Sequence, residues 1–180
     1  MAHIALPEGA PGIVGPMLAY PETEVHLNGL AQALLRGPSS LTPAERELIA
    51  ASVSRGNECE FCTNAHAATA RELYGTHASV VDATLANPAE APVSEKMRAL
   101  LDIAAKVRQD GRLVGEPDIA RARAAGADDK GIHDTVLIAA AFCMFNRYVD
   151  GLATWTPTDP DIYRQTGEML ATKGYLHSIR

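Results

Sequence analysis

A chain of 180 residues, 47% apolar and 21% charged, has the makeup of one globular domain able to bury a core without disulfide staples. Its formal net charge of −6, with Lys and Arg scattered, excludes the basic stripe of a nucleic-acid binder and the polybasic patch that holds an anionic membrane. The longest apolar run, Val136 to Phe145, is ten residues, against the ~20 that a membrane-spanning helix needs.

Residues 1–21 hold Pro7, Pro11, Pro16 and Pro21 among several glycines and read as an extended arm. They show neither the basic start nor the apolar stretch of a signal peptide, so a cytoplasmic location is expected. In that reducing compartment three cysteines are no disulfide framework, and paired ones point to redox chemistry or metal.

From Glu22 onward the signals are helical, and residues 22–180 are expected to form a single all-α domain. Leu27, Leu30, Ala31, Leu34 and Leu35 line one helix face, which Gly37-Pro38 stops. Thr42, Pro43 and Glu45 supply an N-cap, a first helical residue and a capping box for a helix running to about Arg55. A helix from near Cys59 to Gly75 follows, then others over Ala78–Ala86, Glu95–Gln109, Pro117–Ala125, Asp129–Leu152 and Pro160–Thr172. Nothing alternates with period two between turns, so a compact multi-helix fold is expected. The run Val136–Phe145, apolar all round, predicts a central helix or one lying against another subunit. A polar start, an Ile and an alanine-rich run recur in Thr42–Val53 and Asp128–Phe142, a faint echo of a duplicated helical hairpin.

Chemistry concentrates between Glu47 and His66. Cys59 and Cys62 stand three apart at a helix start, where unpaired N–H groups and partial positive charge favour a thiolate. A free thiol with a pKa of ~8.5 is only ~3% ionised at pH 7, against ~75% at a pKa of ~6.5. His66 falls one helical turn after Cys62. Glu47, on the preceding helix, is placed to orient His66 and take its proton. A structural zinc site would want four ligands, and Cys143 alone remains beyond the pair, so no metal or cofactor is expected. Cys143 itself reads as an inert core thiol, and His133-Asp134 as a polar pair at a helix start. Asn146-Arg147 interrupts an apolar helix and is assigned to Asp150 or a neighbouring subunit. His3, His26, His77 and His177 have no evident partner.

The pattern Glu-x11-Cys-x2-Cys-x3-His, with Phe145-Asn146-Arg147 further on, resembles the alkyl hydroperoxidase D-like, peroxidase-related branch of the carboxymuconolactone decarboxylase superfamily. The likeness runs from about Glu22 to Lys173. It implies thiol-dependent reduction of a hydroperoxide in a homo-oligomer, a trimer or a multiple of dimers. Cys62 would attack, Cys59 would resolve, Glu47 and His66 would relay protons, and a lipoyl group or small redox protein would restore the dithiol. A redox-responsive or structural helical module, switching without turnover, is the alternative, although such a switch needs no proton relay. A lactone decarboxylase is disfavoured, because those members generally lack the cysteine pair. One position departs from the best-studied family pattern: Phe61 stands where a histidine precedes the second cysteine. This predicts slower turnover and a preference for bulkier apolar hydroperoxides resting on that ring.

Overall fold

Thr42 caps its helix as its sequence context predicts: its hydroxyl accepts from the Glu45 N–H at 3.2 Å, while Glu45 Oε2 accepts from the Thr42 N–H at 2.8 Å. In the computed structural model, which describes residues 1–176, nine α-helices follow one another, and no strand occurs among the described residues. They are α1 (Val14–Ala19), α2 (Pro21–Arg36), α3 (Pro43–Gly56), α4 (Glu60–Tyr74), α5 (Ser79–Ala86), α6 (Glu95–Gln109), α7 (Glu116–Ala124), α8 (Asp129–Gly151) and α9 (Pro160–Lys173). Every helix expected after residue 21 is present, with ends shifted by a residue or so.

The core is built around α3, where Leu48, Ile49, Ala50 and Ala51 are all fully buried. Four consecutive buried residues mean that α3 is covered on every side, by α4, α6 and α8 among others. Burying Leu48 or Ile49 contributes about 1.5–3 kcal/mol each. Arg46, one turn earlier, is also buried, and donates to the carbonyls of Leu34 and Gly37 at 2.9 Å each. It thereby satisfies orphan carbonyls at the end of α2 and locks that end to α3. On the far side α9 lies against α4. A Cβ on Gly167 would come within 2.7 Å of the Ala68 carbonyl carbon, so only glycine lets the two helices approach this closely.

Within the run Val136–Phe145, Ile138, Ala139, Ala141, Phe142 and Phe145 face inward, while Leu137 and Met144 are exposed on this chain. One expectation changes: the arm is not extended throughout. Residues Val14–Ala19 form α1, with Gly15, Pro16 and Met17 buried. The helix was hidden by its own glycine and proline. Pro16 sits in the first turn, where a missing N–H costs nothing, and its carbonyl accepts from the Tyr20 N–H at 2.9 Å.

Candidate active site

The α3–α4 hairpin brings Glu47 and His66 together. Glu47 is wholly buried, and its Oε2 lies 2.7 Å from His66 Nδ1. Its other oxygen is shared by two further residues: the Tyr175 hydroxyl, 128 residues on in sequence, donates to Oε1 at 2.6 Å, and Arg36 Nη2, at the end of α2, stands 2.7 Å from the same atom. The Arg36 guanidinium also lies over the Tyr175 ring, 5.2 Å from its centroid. Burial alone would raise the Glu47 carboxyl. The charge and hydrogen bond of His66, the Arg36 charge and the Tyr175 hydroxyl outweigh it and hold that carboxyl below the ordinary carboxylate range. Tyr175 is pushed the other way, well above the usual phenol range, by burial and by the Glu47 anion beside it, so it remains a donor.

An anionic Glu47 accepts the proton on His66 Nδ1, leaving Nε2 as the nitrogen available for proton transfer. The ring is fixed by its surroundings, edge-on to Phe142 at 4.5 Å and stacked over Tyr175 at 6.2 Å between centroids.

The two thiols begin α4. Cys59 is its N-cap and Cys62 lies in the first turn, and both are reduced and buried. The chain reaches them through Glu58, which adopts a left-handed φ of 60°, a strained conformation for a residue with a side chain. The turn is pinned by the Cys59 N–H donating to the Ser54 carbonyl at 3.1 Å. A hydrogen bond with Cys62, then burial, push the Cys59 thiol far above the ordinary thiol range. Cys59 therefore stays protonated until something reacts beside it.

Cys62, His66 and Tyr175 line one cavity of about 450 Å³, whose other walls are almost entirely apolar. Cys59 and Glu47 stand behind that lining. The four residues read from the sequence therefore divide into two that face the cavity and two that support them. Phe61, in the place of the family histidine, also borders the cavity, with its ring against Tyr163 at 6.1 Å between centroids.

Arg36 and Tyr175 carry no signal in the sequence that sets them apart. Arg36 reads as an ordinary basic residue in the last turn of a helix, and Tyr175 lies 128 residues from the carboxylate it binds. Other candidates fall elsewhere. Asp134 is buried and accepts from Ser39 at 2.6 Å, with Lys130 and His133 also on it. Cys143 is half-buried rather than a core thiol, and Asn57 donates to its sulfur at 3.5 Å. Asn146 is buried and bridges Asn57 and Ser54. Arg147 turns back to the Cys143 carbonyl instead of reaching Asp150. The N–H of His3 donates to the Leu152 carbonyl, and His177 lies outside the described residues. Among the described residues no three His, Cys, Asp or Glu side chains gather as a metal site would need, and no helix is long and apolar enough to cross a membrane.

The helical hairpin thus sets one thiol, Cys62, and a carboxylate-held histidine on one largely apolar cavity, with the second thiol, Cys59, behind them. The family model described as the Carboxymuconolactone decarboxylase family matches residues 21–106, a span that holds Arg36, Glu47, Cys59, Cys62 and His66 but neither the arm nor Tyr175. A peroxidase-related protein of uncharacterised function from Silicibacter sp. TM1040 is similar at 29% identity over 83% of this chain and 78% of that one, with a TM-score of 0.75. Another, described as an alkylhydroperoxidase AhpD core from Ralstonia eutropha JMP134, is 27% identical over 87% of this chain and 80% of that one, with a TM-score of 0.78. A protein of unknown function from Agrobacterium tumefaciens, 23% identical over 82% of this chain and 99% of that one, shares the fold at a TM-score of 0.68. These likenesses bear out the resemblance to the alkyl hydroperoxidase D-like branch of the carboxymuconolactone decarboxylase superfamily, and the all-α fold. No curated protein matches the chain.

Proposed function

We propose that this protein is a cysteine-based hydroperoxide reductase in which Cys62 attacks the peroxide and Cys59 resolves the product. The observation that carries this reading is the shared cavity: Cys62 and His66 both border it, and His66 is held at 2.7 Å by a buried carboxylate.

The Cys62 thiol gives its proton to His66 Nε2, and the thiolate attacks the nearer peroxide oxygen. An S–O bond forms and the O–O bond breaks, and His66 returns the proton to the departing alkoxide, which leaves as an alcohol. Cys62 is now a sulfenic acid. Cys59 then attacks that sulfur, giving up its proton as it does so; the S–O bond breaks, the hydroxide leaves with that proton as water, and a Cys59–Cys62 disulfide remains. An external dithiol, such as a lipoyl group or a small redox protein, reduces it by exchange. Glu47 takes no proton in this cycle. It stabilises the imidazolium and holds the ring, and Arg36 and Tyr175 keep it ionised.

A reducing compartment such as the cytoplasm keeps the pair in the reactive dithiol form. As the resemblance implies, we take the working protein to be a homo-oligomer; light scattering that returns a monomer at micromolar concentration would overturn that. The functional test is peroxide consumption coupled to a dithiol. Multiple turnovers per site support the reductase, and a disulfide that forms once without turnover supports the switch module instead.

A further inference from the structure

We propose that the N-terminal arm is the specificity wall of this site, seated on Phe61, and that it sets the size of the apolar group able to reach Cys62. The inference rests on Cys62 as the reacting group of the reading above.

Three observations carry it. First, the arm is docked: the His3 N–H donates to the Leu152 carbonyl at 2.9 Å, and the Gly12 N–H to the Trp155 carbonyl at 2.8 Å. Second, its side chains complete the cavity. Ile13, Val14 and Met17 line it opposite Phe142 and Phe145 of α8. Ile13 packs both against the main core and against the small cluster that holds Cys59, Phe61 and Cys62. Third, the arm and Phe61 fit each other through a missing side chain. Gly12 is buried with a left-handed φ of 51°, and a Cβ there would stand 2.1 Å from the Phe61 ring. Only glycine allows the backbone to lie on that ring. The residue that departs from the family pattern is thus explained by what rests on it.

Beyond Cys62, His66 and Tyr175 the cavity lining is largely apolar, with Asn28 and Thr166 as its other polar side chains. Cys62, His66 and Tyr175 face a volume of about 450 Å³, within the range of small-molecule pockets. The hydroperoxide group belongs at the cysteine. A compact apolar body fills the space beneath Ile13, Val14 and Met17, and a larger one is refused unless the arm lifts.

Alkylation of Cys62 in the reduced full-length protein, quantified by peptide mass spectrometry, tests the wall without needing peroxide turnover. The readout is the ratio of the rates with bulky N-ethylmaleimide and small iodoacetamide. Gly12→Val, which cannot seat on Phe61, should raise that ratio about tenfold, because the observed rate scales with the fraction of open molecules. Met17→Ala, which hollows the wall and leaves the seat intact, should raise it by less than Gly12→Val does, because it widens the cavity without lifting the arm. Circular dichroism verifies that each variant is folded. A ratio that stays at the wild-type value in both overturns the proposal. A raised ratio in a protein that forms no disulfide with hydrogen peroxide supports the wall and counts only against the reductase reading.

Discussion

The molecule contains two buried carboxylates that each hold a histidine by Nδ1, and they behave as opposites. Glu47 holds His66 at 2.7 Å, and Asp134 holds His133 at 3.0 Å. Both carboxyls lie below the ordinary carboxylate range because their hydrogen bonds and neighbouring charges outweigh the effect of burial. The side chain of His66 is only 13% exposed and borders a cavity shared with a thiol, whereas that of His133 is 62% exposed. A carboxylate–histidine pair becomes chemistry only through the third group it faces. Around Asp134 that third group is Lys130 and Ser39, and the pair ties the start of α8 to the end of the α2–α3 loop.

Removing the third group should break the comparison outright. Cys62→Ser should abolish peroxide consumption, whereas Cys59→Ser should permit one sulfenic acid per site, trapped by a dimedone-type reagent and located by mass spectrometry. Label found at Cys59 in the Cys62→Ser variant would reverse the two roles.

The histidines come next. His66→Asn should lower kcat by about 10²–10⁴-fold, the usual weight of positioned proton transfer. His133→Asn should leave kcat unchanged and alter stability by no more than about 0.5 kcal/mol, as exposed substitutions do. Steady-state kinetics and urea unfolding of both variants check this, and equal losses of activity would dissolve the distinction.

The carboxylates themselves differ in what they leave behind. Glu47→Gln strands Arg36 in a buried site and should destabilise by about 3 kcal/mol. Asp134→Asn abandons partners that reach solvent and should cost about 1 kcal/mol. The pH dependence carries the same sign for both. A carboxyl depressed in the folded state contributes stability above its unfolded pKa, and that contribution is lost as pH falls through the lower folded value. Acid unfolding of the wild type should therefore steepen below the ordinary carboxylate range, and Glu47→Gln should flatten that limb more than Asp134→Asn does.

Much of this was legible in advance. The helices α2 to α9 follow from caps, periodic leucines and Gly or Pro stops, and the spacing of Glu47, Cys59, Cys62 and His66 announces a site. Local pattern could not reveal the two partners that come from other elements. Arg36 and Tyr175 meet Glu47 only after α2, α3 and the segment beyond α9 have packed, and no periodicity records that meeting. The arm's helix is hidden for a related reason. Its prolines and glycines read as chain-breaking, yet one glycine is what lets it lie on Phe61. A further variant sharpens this point: Tyr175→Phe should cost about 2 kcal/mol for a hydrogen bond to a charged group, with kcat reduced far less than in His66→Asn. Thermal unfolding beside kinetics measures both.

The central claim is that Cys62 reacts with peroxide and Cys59 closes on it, served by His66. A single stoichiometric pulse of hydroperoxide on the anaerobically reduced protein, followed by rapid alkylation and peptide mapping, tests it most directly. The account predicts a Cys59–Cys62 disulfide with Cys143 still alkylated as a free thiol. Recovery of Cys59 and Cys62 both as free thiols would contradict it.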